Sequence, residues 1–259
     1  MNVLVIGDIV GQPGRRIAAA LIPALKDEFK LDLIVANAEN AAGGSGLTPA
    51  IVGELLDAGV GVITSGDHIW KKKEVLDIIA KEERLLRPAN YAPDAPGKGS
   101  VVVQADNGEK IGVLNLQGRV FMAPIECPFR TAAEAVKEIK TQTPLIIVDI
   151  HAEATSEKIA LARYLDGRVS AVFGTHTHVQ TADEHILKQG TAYITDLGMT
   201  GPHDSVIGRR QEQIIQRFVT GMPAKFEMAS ADVRLSGAVI EIDETTGKAS
   251  SIKRIQRSF

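Results

Sequence analysis

Three short apolar runs, each followed by a polar turn and then a helical stretch, most constrain the fold of this chain. Val3 to Ile6 is a continuous apolar stretch of strand length, and Leu31 to Ala36 and Val60 to Thr64 are apolar apart from Asp32, Gly61 and Thr64. That is the pattern of strands buried on both faces. The first leads to a helical pattern from Arg15 to about Phe29. The second leads to a helix from Thr48-Pro49 to about Ala58, closed by Gly59, and the third to a helix from Lys71 to about Glu83. A Thr cap followed by Pro at the first helical position marks a helix start. Three β-loop-α units in succession predict a parallel sheet covered on both faces.

Beyond Leu85 the pattern changes. Leu85 to Gly99 is a proline- and glycine-rich connection. Ser100 to Gln104 and Lys110 to Leu116 flank Asp106-Asn107-Gly108, a hairpin signal. Gln117 to Arg130 is irregular, and Thr131 to about Thr141 is an amphipathic helix. Leu145 to Val148, Val169 to Phe173 and Thr191 to Thr195 are further strand candidates, with a helix from Glu157 to Leu165 between the first two. Met199 to Arg210 is a glycine-containing loop able to close over a site. Phe226 to Leu235, Ala238 to Ile242 and Ser250 to Gln256 look like antiparallel strands. With no repeat and no linker, residues 1–259 read as a single domain.

Composition narrows the function classes. A formal net charge of −3 argues against a dedicated nucleic-acid groove. No apolar run approaches the roughly 18 residues of a membrane span, and the N-terminus does not read as a signal peptide. The lone Cys127 allows no internal disulfide, so a cytoplasmic setting is expected. It reads as a plain thiol rather than a nucleophile. Lys71-Lys72-Lys73 reads as a solvated helix start. Arg119, Phe121, Arg209 and Arg210 fall in loops, where ordinary surface or core roles are expected.

The chemistry sits where the strands end. Asp8; Glu39 and Asn40; Asp67 and His68; His151; and His176 with His178 each follow an apolar run. In a parallel sheet these ends share one edge, where ligands bind. Asp and Asn favour strand-end turns, but histidine does not, and four of the six histidines are here. His185 reads as solvated and His203 as a loop residue. In an extended segment, residues two apart face the same way. An extended Gly174-Thr175-His176-Thr177-His178 would therefore present two imidazoles to one metal centre. Oxygen and nitrogen donors without thiolates suit Mn, Fe or Zn. Seven ligands exceed one tetrahedral ion but suffice for two ions sharing a carboxylate, which can clamp a phosphoryl group. The glycines at 7, 11 and 14 match neither the dinucleotide fingerprint nor the P-loop, so a metal-free nucleotide-binding sheet finds no phosphate loop.

Five stretches carry a resemblance to a known family: Gly7-Asp8-Ile9-Val10-Gly11, Asn37-Ala38-Glu39-Asn40, Gly66-Asp67-His68, the run from Asp149 through His151-Ala152-Glu153-Ala154-Thr155-Ser156-Glu157-Lys158, and Gly174 to His178. They resemble the calcineurin-like metallophosphoesterases, specifically the bacterial YmdB-type branch, over nearly the whole chain. The resemblance implies an α/β/β/α sandwich of two mixed sheets flanked by helices, with a dinuclear centre. Asp8, Asn40 and His178 would hold one metal and Asp67, His151 and His176 the other, with Glu39 bridging and His68 as general acid. It further implies two ions, Fe and/or Mn or else Zn, and a small phosphodiester substrate such as a 2′,3′- or 3′,5′-cyclic nucleotide, attacked by a bridging hydroxide. A homo-oligomer is compatible with it. Two departures from the superfamily stand out. The usual Asp-x-His is replaced by Asp8-Ile9-Val10, with Asn40 compensating. Asp67 replaces the asparagine of Gly-Asn-His, adding a charge expected to tighten metal binding and lower Lewis acidity. The competing expectation is a metal-containing regulatory or scaffold protein with little activity.

Overall fold

The computed structural model describes residues 1–259. In chain order the elements are β1 (Asn2–Ile6), α1 (Gly11–Phe29), β2 (Leu33–Asn37), α2 (Pro49–Asp57), β3 (Val62–Thr64), β4 (Ser100–Gln104), β5 (Lys110–Gln117), α3 (Pro128–Ile139), β6 (Ile146–His151), α4 (Thr155–Leu165), β7 (Ala171–Thr175), β8 (His185–Ile186), β9 (Ala192–Ile194), β10 (Gly201–Pro202), α5 (Gln211–Thr220), β11 (Val233–Ile242) and β12 (Ala249–Ser258).

Two six-stranded sheets result. In the first, β1, β2 and β3 are parallel neighbours. β11 returns antiparallel to β1, pairing Val3 with Ile240, and carries β12 and the short β10. In the second, β5, β6, β7 and β9 run parallel, with β4 and β8 antiparallel at the two edges.

Strand alternation explains the layering. Val3 and Val5 of β1, with Val35 and Val62, meet Ile147, Ala171 and Phe173 between the sheets. Leu4 and Ile6 point the other way, onto Ile17, Ile22 and Leu25 of α1 and Val52 and Leu55 of α2. The second sheet's outer face packs on α3 and α4 through Val136, Ile139, Leu161 and Leu165. Because both faces are covered, the strands are apolar on both. The α/β/β/α sandwich is therefore present. The parallel sheet expected from the first three strands is covered on its second face by another sheet, not by helices.

Three expectations need correction. The helix expected from Lys71 to Glu83 is only a 3₁₀ turn, Lys73–Asp77. The chain leaves it to run beside β3, where Ile63 donates to the Arg84 carbonyl and Leu86 donates to Ile63, so backbone that would lie exposed at the sheet edge is satisfied. Phe226 to Leu235 is not a separate strand. Ser236 and Gly237 stay paired with β12, and Gly237 with Ile6 of β1, so β11 runs unbroken. Lastly, α5 was not anticipated, and only Ile214 of it is buried, so it lacks the core-facing stripe that marks a helix in sequence.

Candidate metal centre

Both parallel runs point their C-terminal ends to one seam between the sheets. Asp8 follows β1, Glu39 and Asn40 follow β2, and Asp67 and His68 follow β3. On the other side His151 ends β6, while His176 and His178 follow β7. The single rim expected of one sheet is thus assembled from two. All eight residues come together there.

The donor atoms of Glu39, Asp67, His151 and His176 lie within 4.8 Å of one another. His151 Nε2 is 3.2 Å from Glu39 Oε1 and 3.3 Å from Asp67 Oδ1, and His176 Nδ1 is 3.0 Å from His151 Nε2. Next to this group lies a second. His178 Nε2 is 3.8 Å from Asp8 Oδ1 and accepts from the Asn40 amide at 3.1 Å. That amide also donates to Glu39 Oε1 at 3.0 Å, so Glu39 touches both groups. Here the Asn40 amide nitrogen faces this gap, while its oxygen faces His68.

The extended His-x-His is not what is built. His176 and His178 adopt φ of 101° and 65°, which sends their imidazoles to the two different groups. Left-handed backbone costs a non-glycine residue about 1–2 kcal/mol, and such strain persists where surroundings enforce it.

Every imidazole has its non-facing nitrogen held. His151 Nδ1–H donates to Thr175 Oγ1 at 2.9 Å, and that hydroxyl donates to Asp149 Oδ1 at 2.8 Å. His176 Nε2 faces Glu153 Oε2 at 3.1 Å, and His178 Nδ1–H donates to the Ile207 carbonyl at 3.1 Å. Such partners fix the tautomer and aim of metal-binding histidines. Beneath them, Asp149 also accepts from Asn37 and Thr64 of the first sheet, tying the sheets together. Its burial pushes the carboxyl up to about 6. Thr175, Asp149, Asn37 and Glu153 were not singled out from sequence. The carboxylates two before and two after His151 were the available signal, since strand periodicity places such neighbours on one face.

The charges fit cations. Asp8 Oδ1 and Asp67 Oδ1 are buried and have no hydrogen-bond partner, an arrangement that is expensive without a counter-charge. Burial would raise the Glu39 carboxyl, but the charge of His151 and hydrogen bonds from His151 and His68 hold it well below the usual range. His68 is raised, first by its hydrogen bond to Glu39. Its Nδ1–H donates to Asn40 Oδ1 at 2.7 Å, leaving Nε2 for whatever enters the cleft. That cleft holds about 350 Å³ and is walled by Ile207 and Arg209, whose guanidinium donates to the Gly43 and Gly44 carbonyls. The Met199–Arg210 loop thus forms one wall. His203 and His185 stay outside, the first donating to the Gly201 carbonyl and the second stacked edge-on to Tyr193.

Gly66 leaves room for the centre. A Cβ there would sit 2.1 Å from His151 Cδ2, although the backbone itself would accept alanine. Gly66→Ala is therefore expected to displace the His151 ring at a cost of about 1–3 kcal/mol. Metal content of the purified variant should fall, and an unchanged content would show that the ring can yield.

A family model described as YmdB-like protein matches residues 4–255. The chain belongs to the YmdB-like family. Its relatives include the Bacillus subtilis (strain 168) 2′,3′-cyclic-nucleotide 2′-phosphodiesterase, 51% identical over 255 residues that span 98% of this chain and 96% of that protein. Two crystal structures from other bacteria superpose on this member of the family. A hypothetical protein from Thermus thermophilus has a TM-score of 0.93 and 41% identity, over 99% of both chains. A novel phosphatase from Mycoplasma pneumoniae has a TM-score of 0.93 and 38% identity, over 99% of this chain and 93% of its own.

Proposed function

We propose that this protein is a metal-dependent phosphodiesterase of small phosphodiesters, cyclic nucleotides first among them. The observation that carries the reading is the pair of unpartnered buried oxygens on Asp8 and Asp67, facing three aimed imidazoles across a shared Glu39. In this reading Asp8, Asn40 and His178 would hold one ion and Asp67, His151 and His176 a second, with Glu39 in reach of both groups. The donor set suits Fe or Mn, with Zn also compatible. Metal held there would supply the charge that neutralises phosphoryl oxygens and acidifies water.

The chain supplies the remaining parts. Thr175, Glu153 and the Ile207 carbonyl fix the imidazoles. His68 holds a proton at Nε2 and gives it to the departing oxygen as its bond to phosphorus breaks, with water's oxygen ending on phosphorus. An acid in this role must be charged near working pH, and the Glu39 contact raises His68 in that direction. The activity of the Bacillus subtilis relative supports a cyclic nucleotide as substrate. A scaffold role is not favoured, because His68 would then stand in an open cleft without a task. The cytoplasm, where Cys127 stays reduced, is the expected location, and light scattering would test the expected homo-oligomer. We read the whole chain as one domain, since both sheets contribute ligands.

The test is an assay of mono-, di- and cyclic phosphates, with metal measured on the same sample. Hydrolysis of a diester at about two metals per chain is expected, whereas a metal-loaded protein inert to all of them would leave the scaffold role. Chelation gives a second check. A ligand at about 100 times its Kd stabilises by about 2.7 kcal/mol, so stripping metal should lower Tm by roughly 5–10 °C in a chain of this size. A Tm indifferent to chelation would count against a resident ion.

A further inference from the structure

We propose that the buried ion pair between Lys158 and Asp196 positions the turn that carries His176 and His178, so that losing it weakens metal binding without removing a ligand. The inference rests on the metal-centre reading above. Lys158 Nζ lies 2.7 Å from Asp196 Oδ2, and both side chains are fully buried. The same oxygen accepts the Thr177 backbone N–H at 3.1 Å and the Thr177 hydroxyl at 2.8 Å. Asp196 Oδ1 accepts the Gly198 N–H at 2.8 Å. Thr177 is the residue between the two histidines whose backbone is left-handed. Asp196 therefore grips the strained turn at its centre, and Lys158 grips Asp196 from behind.

Stability alone does not account for the pair. A buried salt bridge contributes little net, and apolar residues of similar volume often do as well or better. An apolar pair cannot accept two hydrogen bonds from Thr177 while being fixed in place. The pair also joins three segments that feed the centre. Lys158 lies in α4, which starts four residues after His151. Its stem runs beside Gly174 of β7, where an added Cβ would approach Lys158 Cδ to 2.8 Å. Asp196 follows β9. Neither residue lines the cleft, so both would act through the histidines. Metal–ligand distances tolerate only about 0.2 Å, so a turn free to relax would lose its aim.

Three substitutions at two positions test this. Thr177→Val keeps the shape and removes the hydroxyl bond, and Thr177→Ser restores it. Lys158→Met keeps the apolar stem and removes the charge. Mn²⁺ affinity is measured by competition with a chromophoric chelator, alongside Tm of the metal-free protein. Partners of metal ligands are worth about 10–100-fold in affinity. We expect about a 10-fold loss for Thr177→Val with an unchanged metal-free Tm, near wild-type affinity for Thr177→Ser, and a larger loss for Lys158→Met. If Lys158→Met does not fold, the Thr177 pair decides. Undiminished affinity in Thr177→Val, or a loss matched by a lower metal-free Tm, overturns the proposal alone. A wild-type protein that binds no Mn²⁺ overturns it together with the reading beneath it.

Discussion

Glu39→Ala is expected to strip metal from the centre and to cut turnover by about 1000-fold or more. Glu39 Oε1 lies 3.2 Å from His151 Nε2 and 3.0 Å from the Asn40 amide, so a single truncation removes the carboxylate from both donor groups. Charge neutralisation by bound metal contributes several kcal/mol to the transition state, and each 1.36 kcal/mol is tenfold in rate. The same truncation leaves His68 without its charged partner, so the proton donor is weakened as well. Metal per chain and turnover should fall together while circular dichroism stays native. A folded variant with both metals still bound would remove Glu39 from the centre.

His68→Ala should separate chemistry from metal binding. Losing a positioned general acid costs roughly 100–10,000-fold. Because protonation matters most for a poor leaving group, the loss should be larger on a cyclic nucleotide, which expels an alkoxide, than on bis-p-nitrophenyl phosphate, which expels a stabilised phenolate. Metal content should be unchanged, since His68 faces the Glu39 and Asn40 oxygens through a donating nitrogen. Equal losses on both substrates would end the acid assignment. Metal loss would make His68 a part of the cage.

How legible the site was depends on what each residue does. The eight residues at strand ends could be read from sequence because parallel strands deliver the residues just beyond them to one edge, and imidazoles there have no structural reason to recur. Their distribution over two sheets came only from the family resemblance, since strand-end logic does not say how many sheets meet. The partners that aim the histidines were hidden for a different reason. Thr175, Asp149 and Asn37 look like ordinary strand residues until three elements close around them. The same holds for Lys158 and Asp196, 38 positions apart and meeting inside the protein. The helix expected at Lys71 to Glu83 failed because sheet-edge backbone at Ile63 competes for that segment, a tertiary demand that local propensity does not register.

The strand that delivers Asp8 lies between β2 and β11, and β11 is drawn from the far end of the chain. During synthesis the emerging N-terminal half therefore carries an apolar strand with one flank bare until some 230 further residues have left the ribosome. Long-range closure of this kind is slow and invites mispairing. In the proposed reading ion capture would also come late, because every imidazole from the second sheet is translated after residue 150. A shortened chain ending before β11 would leave the strand ahead of Asp8 unpaired on that flank, however complete its set of donor residues.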